Sequence, residues 1–106
     1  MTAEFTKVAL TNEIPEGLVK VVVINGERIA LCNYNNNFYA IADLCTHDNA
    51  PLDEGQLDGC EITCPRHGAR FDVTTGKALC LPAIRPVPTF PVEIRGEEIW
   101  LGPRNK

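Results

Sequence analysis

Two short runs carry the chemistry of this chain: Cys45-Thr46-His47 and, after sixteen intervening residues, Cys64-Pro65-Arg66-His67. Each holds one thiol and one imidazole, in the same order. A Cys-x-His run leaves too little chain for both side chains to bend comfortably onto one ion. Two such runs can instead pinch a two-metal cluster from opposite sides. Zinc sites favour Cys-x₂₋₄-Cys followed by His-x₃₋₅-His, so that each pair bites one tetrahedral ion. Here each pair mixes the two residue types and the first has a one-residue gap. Zinc therefore fits poorly, and two buried cysteines with two satisfied histidines and no metal fit less well still.

The surroundings of the pairs are equally patterned. From Asp43 the chain reads Asp-Leu-Cys-Thr-His-Asp-Asn-Ala-Pro-Leu-Asp-Glu-Gly, and from Ile62 it reads Ile-Thr-Cys-Pro-Arg-His-Gly-Ala-Arg-Phe-Asp-Val-Thr-Thr-Gly. With Pro51, Leu52 and Gly55 between the pairs, and Gly68, Phe71-Asp72 and Gly76 after them, the sequence resembles the Rieske [2Fe–2S] proteins. More narrowly it resembles the small ferredoxins serving bacterial ring-hydroxylating oxygenases. In Rieske centres two histidines replace two cysteines on one iron of the cluster. The resemblance implies one [2Fe–2S] cluster held by Cys45, His47, Cys64 and His67, with both cysteines on the inner iron and both histidines on the outer. Pro65 and Gly68 would be turn residues that let backbone amides approach the cluster. A proline-rich stretch over residues 81–88 corresponds to the family's covering loop, with Leu52 and Pro82 expected to shield the cluster from water.

That ligand set sums to zero charge in the oxidised state, so accepting an electron is easier than for an all-cysteine cluster. High-potential members raise the potential further with a serine and a tyrosine hydroxyl. The matching positions here are Ala69 and Phe71, which predicts a centre near the bottom of the Rieske range, closer to about −150 mV than to +300 mV. The same members carry a disulfide between the ligand loops; Ala50 and Arg66 stand at its positions, so it is absent. Of the other thiols, Cys32 lies in an apolar run and reads as core, and Cys60 and Cys80 as structural thiols of a reducing compartment.

A chain of 106 residues makes one domain, able to bury on the order of 65% of its unfolded surface. No apolar run approaches a membrane span and the N-terminus has no leader pattern, which points to a cytoplasmic monomer. The net charge of −4 argues against nucleic acid. Asp43, Asp48, Asp53, Glu54, Asp58 and Glu61 fall between Asp43 and Thr63 without a Lys or Arg, whereas the second loop brings Arg66 and Arg70. Such a run is either a solvated face or a docking surface.

These loops need rigid support, and the remainder reads as short strands. Residues 18–24 and 28–34 flank Asn25-Gly26, a hairpin signal because both central residues take positive φ. Residues 38–42 follow the Asn35–Asn37 turn, and residues 90–94 and 98–101 flank a hairpin through Gly96. No segment shows helical periodicity. The expectation is all-β: an antiparallel sandwich- or barrel-like base over residues 1–42 and 73–106, with a small cluster-binding lobe inserted at about residues 43–72. With only two histidines, both assigned to the cluster, no mononuclear iron site for oxygen activation can be built. The chain is read as a one-electron carrier and not an enzyme, working between an FAD- and NAD(P)H-dependent ferredoxin reductase and a terminal oxygenase. The alternative is the small subunit of a nitrite reductase.

Overall fold

In the computed structural model, which describes residues 4–46, 51–53, 55–66, 68–81 and 85–105, the chain forms eleven strands in three antiparallel sheets. The expected hairpin forms β2 (Val19–Ile24) and β3 (Glu27–Tyr34), six residue pairs in register from Val19 with Cys32 to Ile24 with Glu27. Asn25 and Gly26 sit at φ 51° and 81°, the mirror-image turn whose twist matches that of the strands. Asn35 and Asn36, at φ 55° and 62°, make a second such turn into β4 (Asn37–Ala42). Strand β3 is buried continuously from Ile29 to Asn33. A central strand covered on both faces is apolar throughout rather than alternating.

The second sheet joins the two ends of the chain. β1 (Thr6–Leu10) pairs with β11 (Glu98–Leu101), the register slipping between Lys7 and Ala9, and β10 (Val92–Arg95) pairs on the other side of β11. Ala9, Ile99 and Leu101 belong to the same buried cluster as Ile29, Leu31 and Ile41. The stretch read as one strand over residues 90–94 is divided: β9 (Thr89–Phe90) adds to the edge of β4, while Val92 begins β10 in the other sheet. Pro91 lies between them, and proline has no N–H with which to continue a ladder. The only helical piece among the described residues is a 3₁₀ turn, Thr11–Glu13, whose Glu13 Oε1 accepts the Leu10 N–H at 2.6 Å.

The third sheet is the lobe: β5 (Leu57–Asp58), β6 (Glu61–Thr63), β7 (Arg70–Asp72) and β8 (Ala78–Cys80), in that order. Its last strand runs beyond Asp72, because the turn after Asp72 returns the chain to pair Phe71 with Ala78. The prolines that follow are therefore reached from the lobe's own sheet. Among the described residues no helix is long and apolar enough to cross a membrane.

Candidate metal centre

The first ligand segment leaves the end of β4. Leu44 N–H turns back to the Ala42 carbonyl at 2.8 Å, and Cys45 follows, completely buried. Thr46 Oγ1 donates to the Arg85 carbonyl at 2.8 Å, which ties this segment to the proline-rich stretch. The second segment leaves the end of β6. Cys64 N–H donates to the Ala69 carbonyl at 2.7 Å, and its own carbonyl accepts the Gly68 N–H at 3.1 Å. A tight turn results, with Gly68 at φ 77°, a conformation glycine adopts without steric cost. Pro65 and Arg66 lie exposed on that turn, yet Cys64 is 1% exposed. Both thiols are buried although Pro51, Pro65 and Arg66 on the same loops are exposed.

Gly55 shows how closely the two segments approach. A Cβ at this position would lie 1.8 Å from the Thr63 carbonyl oxygen, one residue before Cys64. Only a residue without a side chain lets the return of the first loop lie against β6. Gly55 N–H donates to the Leu52 carbonyl at 2.9 Å, and Thr63 N–H to that of Gln56 at 3.2 Å. Leu52, fully buried, packs in one cluster with both cysteines, Ala69 and Phe71. The Phe71-Asp72…Gly76 motif is a lock on the far side. Asp72 Oδ1 accepts the N–H and the hydroxyl of Thr74 at 2.8 and 2.6 Å. Val87 N–H donates to the carbonyl of Gly76, which has φ 80° and has the Val87 carbonyl against its Cα.

His47 and His67 lie outside the described residues, as do Asp48, Ala50 and Pro82. Among the described residues no three of His, Cys, Asp and Glu converge in a way that would hold a metal ion. Among the described residues Cys32, Cys60 and Cys80 do not gather with one another or with Cys45 and Cys64 into a metal-holding group, and none of the three is in a disulfide. Cys45 and Cys64 are thus two buried thiols on facing loops, joined by no third thiol among the described residues.

Cys32 is core, as its apolar run implied, and burial, with the nearby Asp43 charge, pushes its thiol up to about 12. Cys60 is half-buried; Cys80, likewise half-buried, donates through Sγ to the Gly68 carbonyl at 3.5 Å. Sequence reasoning missed the role of Asp43, grouping it with a run of surface acids. Its side chain is fully withdrawn from solvent against Arg28, with Asp53 nearby. Burial holds the Asp53 carboxyl above its ordinary range, with the hydrogen bond and charge of Asp43 adding and Arg28 opposing. Its signal was the apolar strand directly before it, which runs into the core and carries Asp43 with it. Of the other described acids of the run, Asp58 is exposed, and half-exposed Glu61 pairs with Arg70 at 3.5 Å.

Three antiparallel sheets thus carry two cysteine loops, packed most closely where Gly55 meets Thr63. The Rieske [2Fe–2S] domain family matches residues 4–91, and the chain belongs to that family, which holds one such cluster. Within it the chain is similar to carriers rather than catalytic subunits. It is 45% identical over 101 residues, 95% of its length and 97% of the relative's, to the ferredoxin component of the naphthalene 1,2-dioxygenase/salicylate 5-hydroxylase systems of a Ralstonia species. The solved ferredoxin of carbazole 1,9a-dioxygenase from Nocardioides aromaticivorans superposes with a TM-score of 0.89 at 33% identity, over 97% of this chain and 99% of that one. A ferredoxin in complex with the oxygenase of a carbazole 1,9a-dioxygenase matches at 0.88 and 35%, over 92% of both chains.

Proposed function

We propose that this chain is the soluble, cytoplasmic electron carrier of a ring-hydroxylating dioxygenase system, taking single electrons from a flavin-dependent reductase and delivering them to a terminal oxygenase. The observation that carries the reading is the pair of buried thiols, Cys45 and Cys64, in one cluster on loops that Gly55 lets approach closely, in a chain alike along nearly its whole length to a ferredoxin component. That likeness favours the dioxygenase system over a nitrite reductase subunit.

Cys45, Cys64, His47 and His67 would together hold the cluster. The cluster supplies one-electron redox chemistry; the chain sets where and at what potential. Leu52, Ala69 and Phe71, all fully buried, exclude water from the cysteine side. Neither Ala69 nor Phe71 has a hydroxyl to offer, so the oxidised and reduced forms differ little in hydrogen bonding there, which keeps the potential low. A low potential suits an acceptor of electrons from nicotinamide through flavin. Exposed Pro65 and Arg66 stand beside His67 in sequence, and a weak electron-transfer encounter at this tip would use charge for speed more than for affinity.

Anaerobically purified protein should hold two irons and two acid-labile sulfides and give a rhombic paramagnetic signal once reduced. A reductase and an oxygenase from the same gene cluster should turn over only when it is added. One zinc and no labile sulfide would end the ligand reading; turnover at the same rate without the protein would end the carrier reading.

A further inference from the structure

Asp43 is the only charged side chain that is buried among the described residues. Its Oδ1 accepts the backbone N–H groups of Leu52 and Asp53 at 2.8 and 2.7 Å, and its Oδ2 accepts Nε and Nη2 of Arg28, both at 3.1 Å. Its own N–H donates to the Arg28 carbonyl at 3.0 Å. One carboxylate thus joins β3, the end of β4 two residues ahead of Cys45, and the returning half of the first ligand loop. Buried carboxylates persist only with donors of this kind.

The donors satisfy its hydrogen bonding but leave its charge imperfectly balanced. Arg28 is 53% exposed, so water screens it, and it is shared with Asp53 Oδ1 at 3.6 Å. Two carboxylates meet one guanidinium, and the deepest charge is negative. We propose that Asp43 is a positioning residue that also sets the reduction potential, its buried negative charge disfavouring the reduced, more negative cluster beside Cys45. The proposal rests on Cys45 being a ligand. Charges act more strongly in a dry interior than in water, and the Cys32 thiol, on the neighbouring strand, already feels Asp43.

The test measures midpoint potential, iron and sulfide content, and the paramagnetic signal in the whole protein. Asp43→Asn keeps the shape and an acceptor for the two amides, and should raise the potential with the cluster intact. Arg28→Gln removes the compensating charge and should shift it the opposite way, with Arg28→Lys restoring the parental value. A purely structural role would leave the potential in place, or move both variants in one direction with loss of cluster. Should Asp43→Asn fail to hold the cluster, the two Arg28 variants decide: a lowered potential in Gln rescued by Lys upholds the proposal, and equal potentials overturn it. An unshifted Asp43→Asn in an otherwise normal parent overturns this proposal alone. A parent without labile sulfide overturns the ligand reading and this proposal with it.

Discussion

The base and the lobe are both antiparallel sheet, yet they are held together by different means. In the base, β2, β3 and β4 run six to eight residues, and two-residue turns fix six consecutive pairs on each side of β3. In the lobe no strand exceeds three residues. Strands that short are not stable by pairing alone. Their place is taken by side-chain and loop hydrogen bonds, from the 52–53 amides to Asp43 and from Thr74 N–H to Asp72, and by whatever joins the two cysteines. The base rests on long paired strands, and the lobe on short strands braced by loop hydrogen bonds around the two cysteines, where the proposed centre would sit.

The largest effect should come from removing that centre. Cys64→Ser should abolish iron and sulfide content and release the amides of β6 and β7 to hydrogen exchange, while those of Leu31 and Ile41 stay protected. Simultaneous loss of protection in β3 and β6 would break the distinction. Gly55→Ala should come next, since its methyl would meet the Thr63 carbonyl; a loss of about 3 kcal/mol in stability or more, with lower cluster yield, is expected from thermal melts and iron assay. Ile41→Ala, in the base, should cost about 2–5 kcal/mol yet leave the midpoint potential unchanged, whereas the lobe substitutions Ala69→Ser and Phe71→Tyr should each raise the potential with little change in melting. A potential unmoved in the intact double variant would mean that these side chains do not face the cluster.

The smallest effect concerns Asp53. Its carboxyl titrates above the ordinary 3.8 in the folded protein, so folding favours its protonated form. Stability from this group is present at acid pH and is lost as pH rises from the unfolded value through the raised one. Asp53→Asn should therefore stabilise slightly at neutral pH, by less than about 1 kcal/mol for a part-buried group still in contact with water, with the gain gone below about pH 3. A gain of the same size at both pH values would place its origin elsewhere.

The same contrast governs how much could be read beforehand. The base was legible because Asn25-Gly26 and the asparagines after Tyr34 state their backbone conformation through residue type, and because β-branched runs flank them. The pattern around the four ligand positions marked the lobe for a similar reason: Gly55 and Gly76 stand where backbone meets backbone. What escaped were β1, whose partner lies at the other end of the chain, and β5 to β8, too short for alternation to show. Pro91 as a switch between sheets escaped because a proline in an apolar run also reads as an ordinary edge residue. Asp43 was grouped with its acidic neighbours, although the buried strand directly before it marks it apart.

One junction has a consequence for how this domain can vary. The chain leaves the base at Ala42 and rejoins it on an adjacent strand, with Ala42 N–H on the Pro88 carbonyl at 2.8 Å and Ile41 opposite Thr89. The ends of the excursion are thus fixed at the spacing of two neighbouring strands, roughly 4.8 Å. Loop-closure entropy grows only logarithmically, so doubling the length of such an excursion adds about 0.6 kcal/mol. The doorway is a fixed gauge while its contents are thermodynamically inexpensive to resize. The lobe is in that sense an exchangeable cassette, and the base would accommodate a longer or shorter one whose ends meet the same two strands.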